Sequence, residues 1–205
     1  MRYLSVFESD EDILKAVSDI HLKGKWFDLD CTYSKGNFYK NIKEPRIKSD
    51  LNPVDDSIIK LDSTDLSFSD STIESIVFDP PFLFRKRKSE NNDLVSKRFS
   101  YFYSWEELNE MYIKSLKEFF RVLKPKGYVF FKCQDMNDNK FYCTHNFVIN
   151  EAEKIGFDLK DIVIKKGKTK LQRDAKQQKC VAKIHSYWLV FKKKRIKELK
   201  EEVKE

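Results

Sequence analysis

Ser75-Ile76-Val77-Phe78-Asp79-Pro80-Pro81-Phe82 is the stretch on which the reading of this chain turns. Its apolar, β-branched start predicts a buried strand. The strand then meets an acid and two prolines. Proline has no N–H to continue a ladder and also restrains the residue before it, so the chain must leave the sheet here. The result is a stiff loop at the carboxyl end of a strand, where open α/β sheets place their ligands. Asp79 would stand there with its carboxylate exposed and Phe82 would offer an aromatic face, which suits a planar group carrying an amine.

Upstream, three more apolar segments end in an acid. Trp26-Phe27-Asp28-Leu29-Asp30 reads as a short strand, with Asp28 and Asp30 competing for the terminal role and spacing favouring Asp30. It enters a turn, Cys31 to Tyr39, with small residues Ser34 and Gly36 at its bend, where a ligand can approach the backbone closely. Arg46-Ile47-Lys48-Ser49-Asp50 is a second strand, reached from Gly36 by a short helical crossover. Ile58-Ile59-Lys60-Leu61-Asp62-Ser63 is a third, with Asp65 as the alternative acid. Turns favour Asp for local hydrogen bonding, but four acids at the spacing of successive strands predict a row of carboxylates along one sheet edge. A carboxylate ending the second strand can accept hydrogen bonds from both ribose hydroxyls of a nucleoside cofactor.

The remaining elements follow from period and punctuation. Residues 8–24 carry Ile13, Leu14, Val17, Ile20 and Leu22 at near-helical spacing and stop at Gly24, a helix packed beside the sheet. Ser104-Trp105-Glu106-Glu107 opens another with a capping-box start. That helix runs through Leu108, Met111, Tyr112, Leu116, Phe119, Phe120 and Leu123 as core packing, until Pro125 and Gly127 stop it. Tyr128–Cys133 is a buried strand, residues 145–156 a helix, and Phe157–Lys165 and Ser186–Phe191 the last strands.

Charge is unevenly spread. The chain of 205 residues has a net charge of +7. Residues 83–100 contribute +4, residues 165–183 +7 and residues 192–205 +3, leaving the remainder at −7. Basic segments around a mildly acidic body fit a polyanion partner, because Lys/Arg contacts to phosphates release counterions. Arg85, Lys86, Arg87 and Lys88 in the first segment and Lys168, Lys170 and Arg173 in the second are the expected nucleic-acid contacts. Gln172, Gln177 and Gln178 could read base edges. The tail from Lys192 to Glu205 reads as a charged terminal helix.

No apolar run approaches the roughly 20 residues needed to span a bilayer. The N-terminus turns acidic too soon for a secretory signal, so a cytoplasmic protein is expected. Cys31, Cys133, Cys143 and Cys180 form no Cys-x-x-Cys pair, and structural zinc sites draw on such pairs. Cys143-Thr144-His145 is the nearest approach to a metal motif. No metal and reduced thiols are expected.

Asp79-Pro80-Pro81-Phe82 resembles the Asp-Pro-Pro-aromatic signature of the S-adenosylmethionine (SAM)-dependent methyltransferases that modify exocyclic amines of nucleic-acid bases. Arg121-Val122-Leu123-Lys124-Pro125-Lys126-Gly127-Tyr128 resembles the helix-to-strand turn common throughout SAM-dependent methyltransferases. The likeness covers roughly residues 25–192, most closely 73–82 and 121–133. It implies an α/β fold, a Rossmann-like class I methyltransferase sheet that is mostly parallel with an antiparallel last strand, in one domain over residues 1–205. It also implies SAM as cofactor, held by Asp30, Thr32, Ser34, Gly36, Asp50, Asp62 and Ser63. The family's Gly-x-Gly turn falls on Ser34 and Gly36, so one glycine is replaced.

Asp79, Pro80, Pro81 and Phe82 would then be the catalytic residues. The Asp79 carboxylate and the Pro80 carbonyl would accept the amine hydrogens, and Phe82 would stack on a base extruded from the duplex. In the family Asp-Pro-Pro goes mostly with adenine-N6 and Ser-Pro-Pro with cytosine-N4, and the motif order favours DNA. Two other readings stay open: an RNA or protein amine methyltransferase using the same pocket, and a non-catalytic SAM-fold module that holds nucleic acid.

Overall fold

The computed structural model describes residues 2–84, 102–138, 140–167 and 181–195. In chain order the elements are β1 (Val6–Phe7), α1 (Asp10–His21), β2 (Leu29–Asp30), a 3-10 turn (Asn37–Tyr39), β3 (Ile47–Asp50), β4 (Ile59–Lys60) and β5 (Ile73–Phe78). There follow α2 (Trp105–Val122), β6 (Leu123–Cys133), the hairpin β7 (Met136–Asp138) and β8 (Lys140–Tyr142), α3 (Thr144–Ile155), β9 (Phe157–Lys166) and β10 (His185–Lys193).

Eight strands form one sheet in the order β1-β9-β10-β6-β5-β2-β3-β4. The run β6-β5-β2-β3-β4 is parallel, and β10 lies antiparallel between β6 and β9. β1 adds a parallel edge to β9. The chain starts the parallel run in the middle at β2, steps outward to β3 and β4, then returns to the other side of β2 as β5. That reversal opens a crevice beyond the carboxyl ends of β2 and β5, the place where such sheets bind ligands.

Both sheet faces are covered, so the middles of the central strands, Ile76–Phe78, Val129–Phe131 and Trp188–Phe191, are apolar at successive positions rather than at alternate ones. Along β5, Ile76 and Phe78 pack on one face, and Val77 packs on the other. Val129 and Phe131 alternate with Phe130 in β6, and Leu189 and Phe191 with Trp188 and Val190 in β10. The first face is roofed by α2 through Leu108, Tyr112, Leu116 and Phe119 and by α3 through Val148 and Ala152, the second by α1 through Ile13, Leu14 and Val17.

Four expectations from the sequence differ. The second helix ends at Val122, and β6 already begins at Leu123, ahead of the expected Tyr128. The pairing jumps from Ile73↔Leu123 to Ser75↔Tyr128, so Pro125 falls where it owes no ladder N–H, and Lys126 takes the turn at φ 69°. The crossover from Gly36 to β3 is a single 3-10 turn rather than an α-helix. The third acidic strand closes at Lys60, because Asp62 turns the chain by accepting hydrogen bonds from Thr64 N at 2.8 Å and Thr64 Oγ1 at 2.7 Å. Of the expected terminal helix, Lys192 and Lys193 instead extend β10, and residues 196–205 lie outside the described residues.

The capping box forms with a variation. Ser104 Oγ accepts from Glu107 N at 3.1 Å, while Glu107 reaches back to the N–H of Tyr103 at 2.8 Å, one residue before the cap. Ser104→Ala is expected to lower unfolding free energy by about 1 kcal/mol, read as a fall in the urea midpoint with unchanged slope.

Candidate active site

The crevice at the strand reversal holds a cavity of about 830 Å³, within the roughly 300–1,000 Å³ range of small-molecule sites. Asp50, Asp62 and Asp79 all line it, together with Thr32, Ser34, Ser63, Pro80, Pro81 and Phe82. The row of acids expected from the sequence is therefore present, with one displacement. Asp30 is 1% exposed and stands behind the wall. Its carboxylate is spent on Thr32 N at 2.8 Å, Thr32 Oγ1 at 3.2 Å and Tyr39 Oη at 2.7 Å. Gly36 also lies outside the lining and shapes it from behind.

The choice between Asp28 and Asp30 is decided by position. Asp28 faces away from the crevice elements, pairing with Arg46 Nε at 2.5 Å and accepting from Glu74 N at 2.9 Å. Asp30 ends β2 at the crevice. The loop after it bends through Ser34 at φ 52° and Gly36 at φ 64°. A Cβ at Gly36 would displace the end of the Tyr33 side chain, and the positive φ there is one that favours glycine. Ser34 adopts the left-handed conformation without being glycine, and its N–H donates to Asp50 Oδ2 at 2.9 Å. Asp50 thus fixes the bend of the first loop while its own loop is closed by Asn52 N on Oδ1 at 2.8 Å. Ser63 Oγ lies 3.0 Å from Ser115 Oγ on α2, tying the third loop to the helix.

The Asp-Pro-Pro loop is held from both sides. Asp79 N donates to Thr32 Oγ1 at 2.7 Å, and Tyr112 Oη donates to the Pro81 carbonyl at 2.6 Å. Sequence periodicity gives Tyr112 and Met111 only as core. Tyr112 is buried as expected, yet its hydroxyl orients the loop, and Met111 forms part of the cavity wall.

A second residue that the sequence reading passed over is Lys132. It sits near the end of β6 with its side chain 9% exposed, its Nζ 3.0 Å from Asp10 Oδ1 and 3.6 Å from Asp79 Oδ2. Three rings surround the ammonium: Phe38 at 4.6 Å, Trp188 at 5.5 Å and Phe82 at 5.9 Å from their centroids. Trp188 Nε1 donates to the same Asp10 oxygen at 2.9 Å. The available signal was a lysine inside the apolar run Tyr128–Cys133, since a buried cation needs a partner.

Asp79 keeps 24% of its side-chain surface, but its Oδ1 is enclosed and has no hydrogen-bond partner among the described residues. Burial pushes its carboxyl up to about 6; the Lys132 ammonium opposes that rise and Asp10 adds to it. Burial likewise lifts Asp30 to about 7, against the lowering effect of its bonds from Tyr39 and Thr32. An enclosed, unpartnered carboxylate oxygen costs free energy, which a ligand's donor would recover once the loop opens that oxygen to the cavity. Arg85, Lys86, Arg87, Lys88, Lys168, Lys170 and Arg173, the expected nucleic-acid contacts, lie outside the described residues. Among those described, no helix is long and apolar enough to cross a membrane.

Among solved structures, the fold is shared with 1,6-didemethyltoxoflavin-N1-methyltransferase of Burkholderia thailandensis, at 12% identity over 92% of this chain and 80% of that one, TM-score 0.55. The [4+2]-cyclase SpnF is similar at 11% identity over 90% and 81%, TM-score 0.53, so the likeness speaks for the fold alone. A Thermus thermophilus protein assigned as a DNA modification methylase, in complex with S-adenosyl-L-methionine, aligns at 17% identity over 65% of this chain and 54% of that one, TM-score 0.47. This chain spans about half the length of the Thermus thermophilus structures it matches. No curated protein matches it. The family model described as DNA methylase, of the N6/N4 methyltransferase type, matches residues 73–205 and takes in the Asp-Pro-Pro loop, α2 and every later strand. The chain belongs to the DNA methylase family.

Proposed function

We propose that this protein binds SAM in the cavity and methylates the exocyclic amine of a nucleic-acid base, adenine N6 in DNA. The observation that carries the reading is Asp79: a carboxylate on the cavity wall, fixed through its backbone, flanked by Phe82, and with one oxygen unpartnered among the described residues.

The lining fits a nucleoside cofactor. Asp50 and Asp62 offer acceptors for hydroxyl and amine donors, and the bend at Ser34 and Gly36 brings backbone close to the cavity. Thr32, Ser34, Asp50, Asp62 and Ser63 would hold the cofactor directly, with Asp30 and Gly36 supporting them from behind. When bound, SAM supplies an electrophilic methyl group. The conformation of Ser34 weighs against the non-catalytic alternative, because the bend survives the loss of the family's first glycine.

The rest is the work of the chain's own residues. The amine of a base is a poor nucleophile because its lone pair is delocalised into the ring. The Asp79 carboxylate accepts one amine hydrogen and favours the pyramidal nitrogen, and the Pro80 carbonyl accepts the other. Phe82 stacks on the ring and fixes its plane, while Tyr112 holds the Pro81 carbonyl so that the loop keeps its shape. Lys132 positions Asp79 and favours its ionised, acceptor-only form. Asp in place of Ser at the head of the motif favours adenine over cytosine.

Transfer of tritiated methyl from SAM to duplex DNA, RNA and protein tests the substrate class, with label expected in DNA at adenine N6. Asp79→Ala is expected to abolish transfer while SAM still binds by calorimetry; retained activity would remove Asp79 from its role. Activity should fall as pH drops through about 6. Lys132→Met, by removing the opposing cation, should move that acidic limb to higher pH. Stability runs the other way. A folded carboxyl raised above its unfolded value contributes stability that is present at acid pH and lost as pH rises through about 6. Asp79→Asn should therefore be more stable relative to wild type at pH 8 than at pH 5, measured by urea unfolding. Neutralising the lysines of 166–184 is expected to weaken DNA binding and flatten its salt dependence.

A further inference from the structure

A second cluster of chemically active side chains lies outside the cavity, beyond the end of β6. Asp135 stands two residues past the strand and is 5% exposed. The β7–β8 hairpin follows, and it returns the chain to Cys143 and His145 at the start of α3. His145 Nδ1 lies 2.8 and 3.0 Å from the two Asp135 oxygens and 3.7 Å from Cys143 Sγ. One ligand atom from each of the three residues falls within 4.8 Å of the others.

We propose that Asp135, Cys143 and His145 bind a divalent metal ion of the zinc type, which fastens the hairpin to the start of α3. The three ligand atoms stand close enough to share one ion once their side chains turn towards it. Zinc bonds of about 2.3 Å to sulfur and about 2.0–2.1 Å to nitrogen set those two atoms about 3.5 Å apart across a tetrahedral angle. The observed separation is 3.7 Å, but Sγ is also 4.0 Å from Nε2 and so stands beside the ring. The Cys143 side chain must turn to bring its sulfur towards the Nδ1 lone pair. A carboxylate oxygen and the nitrogen belong about 3.3 Å apart on the same reckoning, so Asp135 must give up its hydrogen bond to Nδ1 and move aside to admit the ion.

The donor set selects the ion. One thiolate, one imidazole and one carboxylate suit zinc or cobalt, whereas calcium and magnesium ask for oxygen throughout. Binding exchanges the Cys143 thiol proton for the metal and releases it to solvent. The Nδ1 proton that Asp135 accepts is also given up and one is taken from solvent at Nε2, so the imidazole stays neutral while Nδ1 turns to the ion. Three protein ligands leave a fourth position for water.

Surrounding groups hold the ligands in place. Tyr187 Oη donates to Asp135 Oδ2 at 3.3 Å and lies 2.9 Å from His185 Nε2. The Tyr187 ring stacks on His145 with centroids 4.3 Å apart. Outer partners of this kind fix the orientation of metal ligands. The side chain of His145 remains 26% exposed, which leaves a route of entry. Sequence spacing counts only Cys143 and His145; the hairpin supplies the third ligand by folding back.

The test uses the full chain, reduced, stripped of metal with a chelator and measured without SAM or DNA, so its outcome is independent of methyl transfer. Zn²⁺ affinity is read by competition with a chromophoric chelator and the coordination sphere by Co²⁺ absorption. One equivalent should bind, with a thiolate-to-cobalt charge-transfer band. Cys143→Ser should remove the band and weaken Zn²⁺ binding by at least about tenfold, and Tyr187→Phe should weaken it by about tenfold. Zn²⁺ should raise the Tm of wild type and not of Cys143→Ser, whose fold is checked by circular dichroism. Failure of the wild type to bind Zn²⁺ saturably, absence of the band, or undiminished binding by Cys143→Ser would overturn the proposal, leaving Asp135 only as a helix cap accepting from His145 N at 3.2 Å.

Discussion

The hydroxyl of Thr32 joins the two loops on which the crevice depends. It donates to Asp30 at the end of β2 and accepts from the backbone of Asp79 at the end of β5. Parallel strands pair side by side along their length, but nothing in the ladder fixes the chains once they leave it. A short side chain bonded in both directions supplies that constraint, and it does so where the strand order reverses. The burial of Asp30 follows from the same arrangement: its carboxylate organises Thr32 and Tyr39.

Around that tie the crevice is braced by three loops that hold one another. Asp50 reaches across to the N–H of Ser34, and Ser63 to α2. Tyr112 reaches from the same helix to Pro81. Asp30, Asp50 and Asp62 therefore each have a structural share in the loop next to them or in their own, whereas the Asp79 carboxylate bonds no loop. Lys132 brings a different element into play. Between Asp10 on α1 and Asp79 it links the helix on one sheet face to the active loop, inside a ring of aromatic side chains. Such a cation is costly to bury alone and is tolerated because two carboxylates and three π-faces share its charge.

Much of this was legible in the sequence because the decisive features are local. A β-branched run broken by Asp79-Pro80-Pro81 can only be a strand that stops, and Ser104 with Glu107 can only open a helix usefully. The acids at Asp50, Asp62 and Asp79 announced themselves by ending apolar segments, and they meet in one cavity. What stayed hidden depends on contacts between distant segments. Nothing in the period of α2 separates the hydroxyl of Tyr112 from its ring, and nothing near Lys132 in sequence reveals Asp10. Asp30 looked the same as its three counterparts until the burial of its neighbours was known. The early start of β6 escaped because Pro125 reads as a stop, whereas a register jump lets the strand carry it.

The margins of the sheet have a consequence of their own. β1 on one side and β4 on the other are each two residues long, and the strands inside them are longer or sheltered. A stray chain pairing with β1 or β4 themselves would gain only a couple of main-chain bonds, but β1 covers β9 only at Ile164 and Lys165. The stretch of β9 from Phe157 to Val163 is therefore the longer template that the described sheet presents to an added strand.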